Sequence, residues 1–290
     1  MSANPNNEEI MAALEQSGYL MEQRVATQLE ALNFDIKTNA AFEDPDEGKS
    51  RETDVSAIKR IAVNESAKVS AFVELIVECK NNGNPLVFLS RPKSVWDANE
   101  RSEQFRYPMK YEMKKDLGGG RSMSRELNAF FHLGFDKIHY RHQQTAKAVQ
   151  FCRIDRKGGG WYANHGGLYD AIFYPMAKAV TARLANVPRG ANPQDWKYIW
   201  LLFPILVTTG DLLVVDSAKV SPIPEPRDWV SFSRELKSGK LSGTYALDFV
   251  RQDKLENFVH ECIDPLGELA KELVEAKADF LLQAQCPWDD

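Results

Sequence analysis

Cysteine is scarce in this 290-residue chain: Cys79, Cys152, Cys262 and Cys286 lie far apart, with no C-x-x-C pair. That excludes a zinc ribbon and a disulfide framework. No apolar run is long enough to cross a bilayer, and the opening Met-Ser-Ala-Asn-Pro-Asn-Asn-Glu-Glu is not a secretion signal. A cytoplasmic location and no membrane partner are therefore expected. A basic excess is missing too, with a net charge of −5. A nucleic-acid binder usually shows a basic face, so the distribution of charge matters more than its total. The two triple-glycine runs lack the strand, G-K-[ST] and helix context of a P-loop. Ser90, Ser122 and Ser124 have no G-x-S-x-G neighbourhood. His139-Tyr-Arg-His142 has ligand spacing but no cysteine or acidic partner, and reads as a surface or phosphate-contacting pair.

The composition that is present, 43% hydrophobic and 27% charged, suits a globular protein with a substantial core. Its most informative stretch is Ser70-Ala-Phe-Val-Glu-Leu-Ile-Val-Glu-Cys-Lys80, whose β-branched and aromatic residues predict a strand. Alternation puts Val73, Leu75, Val77 and Cys79 on one face and Glu74, Ile76, Glu78 and Lys80 on the other. A carboxylate and an ammonium at the end of an apolar strand are costly to bury unless each finds a partner or a metal ion. The preceding stretch, Lys49 to Arg60, reads as the previous strand and carries Asp54. A hairpin around Val63–Lys68 would return Asp54 to Glu78. Two carboxylates with backbone carbonyls and water make the oxygen-rich site that Mg2+ (or Mn2+) prefers. A lysine beside it can position an attacking water or offset charge on a phosphate.

Upstream, Met21, Val25, Leu29 and Leu32 repeat at helical spacing, with Ser17 as a cap and Glu22 flanking the buried side. The first strand is expected over Asn33–Phe42, and Asn81-Asn-Gly-Asn-Pro85 ends the third. Glu22 in its helix, Asp54 on a strand, then Glu78-Cys79-Lys80 on the next resemble the D…(D/E)-x-K pattern of the PD-(D/E)XK (restriction-endonuclease-like) nuclease superfamily. Gly18-Tyr-Leu-Met-Glu22 is similar to the G-x-x-x-E helix of its Mrr-like members. Arg51-Glu-Thr-Asp-Val55 is similar to their first acidic strand, although Thr53 replaces the proline of the name. The resemblance implies an α/β fold with a mixed sheet and an αβββαβ core. It also implies a magnesium-dependent endonuclease or other phosphodiesterase, cutting DNA or RNA. Asp54 and Glu78 would hold the metal, Glu22 would complete the site directly or through water, and Lys80 would orient the water.

Residues 86–165 read as an insertion between that strand and the next core helix, within a single domain covering 1–290. Basic and aromatic residues alternate there: Arg91, Lys93, Trp96, Arg101, Phe105, Arg106, Tyr107, Lys110, Tyr111, Lys114, Lys115 and then Arg121. This is either a nucleic-acid surface or a loop-rich subdomain with a solvated exterior. Leu168, Ile172, Met176, Val180 and Leu184 recur every four residues and predict a helix, kinked at Pro175. Trp196–Thr208 is a strand expected to turn at Gly210-Asp211 into a hairpin with Leu212–Asp216. Thr244–Val250 reads as the last strand. The extension 251–290 is amphipathic helix broken at Asp264-Pro265, packing on the core or, in a homodimer, on a second copy. Two competing readings remain: a nuclease-like domain kept only for nucleic-acid binding or as an accessory subunit, and an α/β interaction protein in which Glu78 and Lys80 form an ordinary surface ion pair.

Overall fold

A computed structural model describes residues 4–97, 104–188, 192 and 194–288. The chain opens with α1 (Asn7–Ser17), whose N-terminus is closed by reciprocal bonds between Asn6 and Glu9. Ser17 ends this helix. The turn into α2 (Tyr19–Ala31) is made at Gly18, whose φ of 86° suits a residue without a Cβ. Met21, Val25, Ala26 and Leu29 form the buried side of α2.

Three antiparallel strands follow: β1 (Asp35–Glu43), β2 (Ser50–Asn64) and β3 (Val69–Lys80). The stretch after Lys80 contains β4 (Leu86–Pro92), β5 (Phe105–Arg106), β6 (Tyr111–Gly118), β7 (Arg121–Leu127), α3 (Ala129–His132), α4 (Tyr140–Gln143), β8 (Ala146–Lys157) and β9 (Gly160–Asn164). Arg101 lies outside the described residues. The next core helix is α5 (Tyr174–Asn186), entered through a wide turn at Tyr169–Phe173. The run is already helical before Pro175, because the π-helical turn passes directly into α5, so the proline lies inside the helical run at the point where its winding changes. β10 (Lys197–Thr208), β11 (Leu212–Asp216), β12 (Glu225–Arg227), β13 (Trp229–Ser238) and β14 (Leu241–Arg251) complete the large sheet. The chain ends with α6 (Leu255–Phe258), α7 (Asp264–Glu275), α8 (Ala278–Leu281) and a short β15 (Gln285–Pro287), so β14 is not the last strand.

The result is a mixed α/β protein with one large mixed sheet, ordered β1-β2-β3-β10-β14-β13-β8-β4-β11-β12. β10 runs parallel to β3 along its whole length, from Lys197 beside Val69 to Thr208 beside Lys80. Its other side is taken by β5 and then, from Ile205, by β14. The hairpin expected between β10 and β11 does not form, because β10 has no open edge left. β11 pairs with β4 and β12 instead.

Both faces of the sheet are covered. Val69, Ala71, Val73, Leu75, Val77 and Cys79 of β3 pack with α2, α6 and α7. Ile76, with Trp200, Leu202 and Leu206 of β10, packs beneath α5 on the opposite face. The parallel β3–α5–β10 crossover thus puts the C-terminal ends of β3 and β10 side by side. No helix among the described residues is long and apolar enough to cross a membrane.

Candidate active site

The sheet forks where β2 passes the end of β3. The β2–β3 ladder stops at Val55 opposite Val77, whereas β2 stays paired with β1 from Thr53 to Ser50. Beyond the fork, the Asp54 carboxylate takes over the place of a strand carbonyl. The Cys79 N–H donates to Asp54 Oδ2 at 2.6 Å. One residue further, Lys80 Nζ donates to Glu78 Oε1 at 2.6 Å, as expected for neighbours on one strand face. Glu78 is largely buried and Lys80 about one-third exposed.

Glu22 is brought to the same place by the α1–α2 junction. The Asn81 side chain, directly after Lys80, donates to the Glu15 carbonyl, and its Cβ is 3.9 Å from where a side chain on Gly18 would begin. Glu22, one turn into α2, therefore shares the electrostatic field of Asp54, Glu78 and Lys80. Burial pushes the carboxyl of Glu22 up, and the charges of Asp54 and Glu78 push it further. Burial likewise raises Asp54, against the pull of the Cys79 amide and Lys80. For Glu78, burial and Asp54 outweigh Lys80. Burial alone would lower the Lys80 ammonium, but Glu78 and Asp54 hold it above its ordinary value. Cys79 faces the core, and burial pushes its thiol far up, so it is no nucleophile.

The donor set is hard oxygen with one cation beside it. That fits magnesium, which binds through one or two carboxylates and keeps its remaining positions for water and substrate oxygens. Among the described residues, no three histidine, cysteine or acidic side chains are arranged to cage an ion by themselves.

The basic residues singled out from sequence do not gather here. Arg106 on β5 lies opposite Trp200, which pairs with Phe72, eight residues down β3 from Lys80. That is about 26 Å of strand. Lys114, Lys115 and Arg121 belong to a separate small sheet, β15-β6-β7, and Lys110 immediately precedes it. This sheet is anchored to the C-terminal helices by Tyr111 Oη, which donates to the Leu281 carbonyl at 2.7 Å. Arg91 and Lys93 sit at the end of β4 remote from Lys80, where Lys93 donates to the Arg141 carbonyl. His139 is not at the surface: it is 1% exposed and stacked on Tyr140, with ring centroids 4.7 Å apart. His139 and His142 both pack against Phe130, and His139 also against Phe105, while His142 stays half-buried.

The loop that follows Lys80 is held instead by residues of β8 and β9. The Ile154 N–H donates to the Pro85 carbonyl at 2.9 Å, and Asn84 Nδ2 to Asp155 Oδ1 at 2.8 Å. The sequence signal for them was Arg-Lys-Gly-Gly-Gly-Trp-Tyr, a glycine turn between cations and rings. No family model, curated protein or solved structure matches the chain.

Proposed function

We propose that this chain is a metal-dependent phosphodiesterase acting on DNA, with a restriction-endonuclease-like core formed by α2, β1, β2, β3, α5 and β10. The observation that carries the reading is the forked sheet, with Asp54 bonded across the fork to Cys79 and flanked by the Glu78–Lys80 pair. The parallel β3–α5–β10 crossover also supports it, since αβββαβ is the element order of that core.

Asp54 and Glu78 would hold the ion, with Glu22 reaching it through water. A bound magnesium ion would supply Lewis-acid polarisation of the phosphate and a more acidic water. Lys80 keeps its proton, so it acts as a fixed positive charge and hydrogen-bond donor, orienting the water and offsetting charge that builds on the phosphate. The strand end holds it in place, because its partner Glu78 is itself largely buried.

The test is incubation of the protein with plasmid and linear DNA in magnesium, in manganese and in EDTA, beside the Lys80→Ala variant. Cleavage with either metal, absent in EDTA and lost in Lys80→Ala with the fold intact, is the expected result. Equal cleavage by Lys80→Ala and the parent overturns this mechanism. A variant that binds DNA as the parent does, when neither cuts it, favours a nuclease-like domain used for binding alone.

A further inference from the structure

The β8–β9 hairpin leaves the body of the protein as an arm. Its base is held by a polar clamp on the loop after Lys80. Asp155 accepts from Arg153 Nε at 2.7 Å, from Asn164 Nδ2 at 2.7 Å and from Asn84 Nδ2 at 2.8 Å. The Arg153 bond and then the Asn164 bond hold the Asp155 carboxyl well below the usual carboxylate range, so it stays charged and the clamp stays closed. Beyond it, every residue from Arg156 to Ala163 is exposed, and none is acidic. Gly158 and Gly159, at φ 58° and 88°, make the two-residue turn that suits the twist of a hairpin.

What this arm displays is unusual for a solvated ribbon. Trp161 is 66% exposed and Tyr162 43%, with no core to serve. The cross-strand register places Arg156 opposite Trp161, the guanidinium 5.9 Å from the ring centroid. Alternation puts Lys157 and Tyr162 together on the other face. Each face therefore carries one cation and one aromatic ring, the combination that grips a phosphate and stacks on a base. Stacking of that kind needs a base free of its partner strand, which duplex DNA does not offer.

We infer that the β8–β9 arm holds a nucleic-acid strand with unpaired bases and delivers it to the site at Asp54, Glu78 and Lys80. This rests on the proposed phosphodiesterase reading and narrows its substrate to single-stranded or locally opened DNA. The small β15-β6-β7 sheet, though also basic, has no such connection to Lys80.

Binding is measured in the Lys80→Ala background, so that the probe stays intact. The probes are a short oligodeoxynucleotide, single-stranded and as a duplex, over a range of salt. Trp161→Ala with Tyr162→Ala should weaken single-strand binding about ten-fold or more and change duplex binding little. Arg156→Ala with Lys157→Ala should lower the slope of log affinity against log salt by about 0.7 per cation removed. Trp161→Phe keeps a ring and should restore most of the affinity, which a merely structural role would not require of the exposed arm. Single-strand binding by both double variants with the parent's affinity and salt slope overturns the inference, even if the wild-type protein cuts DNA. Loss of binding in those variants supports the arm as the grip on unpaired strands, whereas a wild-type protein that cuts nothing overturns the reading on which delivery to Lys80 rests and leaves the grip standing.

Discussion

Lys178 Nζ on α5 lies 2.9 Å from Asp44 Oδ2 in the turn between β1 and β2, and Asp44 is fully buried. Asp44 also accepts from Arg51 Nε at 2.5 Å and from the backbone amides of Asp46 and Glu47 at 2.9 and 3.1 Å. These bonds tie the strand that carries Asp54 to the crossover helix. Burial alone would raise the Asp44 carboxyl, but Lys178, the two amides and Arg51 outweigh it and hold the group well below the usual range. A depressed folded-state pKa gives stability that is complete above the unfolded value, about 3.9, and lost as pH falls below it. The wild-type melting temperature should therefore drop steeply below about pH 4, and that drop should be shallower in Asp44→Asn. Lys178→Met should cost about 1–3 kcal/mol at neutral pH, because Arg51 still pairs with the buried charge. Identical acid profiles for Asp44→Asn and the parent would show that this turn does not govern acid unfolding.

The second prediction concerns Glu74, which points away from the α2 side of β3 and is 2% exposed. It accepts from Arg183 Nε at 2.5 Å and Trp200 Nε1 at 2.7 Å, and the Arg183 guanidinium lies 4.9 Å from the Trp200 ring centroid. Arg183→Ala strands a buried carboxylate and should cost about 3–5 kcal/mol in urea unfolding. Glu74→Gln keeps the shape and one acceptor and should cost clearly less. The reverse ranking would mean that the charge is not what holds α5 to the sheet.

Gly210 gives a third test, linking packing to the site. A Cβ there would lie 2.5 Å from the Asn82 carbonyl oxygen and 2.6 Å from that of Asn84. Both contacts are backbone, in the loop that leaves Lys80, so one side must move. Gly210→Ala should cost about 1–3 kcal/mol and, if Lys80 carries the chemistry, should reduce turnover more than substrate binding. Wild-type stability in this variant would show that the two loops are free to separate.

A fourth prediction needs no nucleic acid. If Asp54 and Glu78 share a divalent ion, its charge offsets the burial that raises both carboxyl groups and the Asp54 charge that raises Glu78 further. Magnesium or manganese at about a hundred times its dissociation constant should stabilise the fold by about 2.7 kcal/mol. Thermal unfolding reads this directly, and Asp54→Asn should abolish most of the gain. A wild-type protein whose melting temperature ignores both metals would count against the site.

Much of the candidate site was legible in the chain because it is local. Period-two alternation in Val73–Lys80 put Cys79 in the core and Glu78 with Lys80 on the other face, and a single short turn before Val69 sufficed to bring Asp54 back to them. The four-residue repeat from Leu168 to Leu184 marked the crossover helix for the same reason, since period alone decides which face is buried. Other features depend on partners distant in sequence. β11 follows β10 after three residues, yet it cannot pair with it, because β3, β5 and β14 already occupy both edges. His139 looked exposed by its neighbours but is enclosed by Phe105 and Phe130 from other elements. The basic residues of 86–125 read as one surface in sequence, and folding sends them to β4, β5 and a separate small sheet. Arg156 and Trp161 fell within the basic and aromatic stretch 86–165, but that their hairpin is tied to the loop after Lys80, through Asn84 with Asp155 and Pro85 with Ile154, is visible only in the fold. Side-chain periodicity is a property of the chain by itself; which edge a strand fills and which loop a hairpin rests on are decided by competition among all the strands for a limited set of backbone partners.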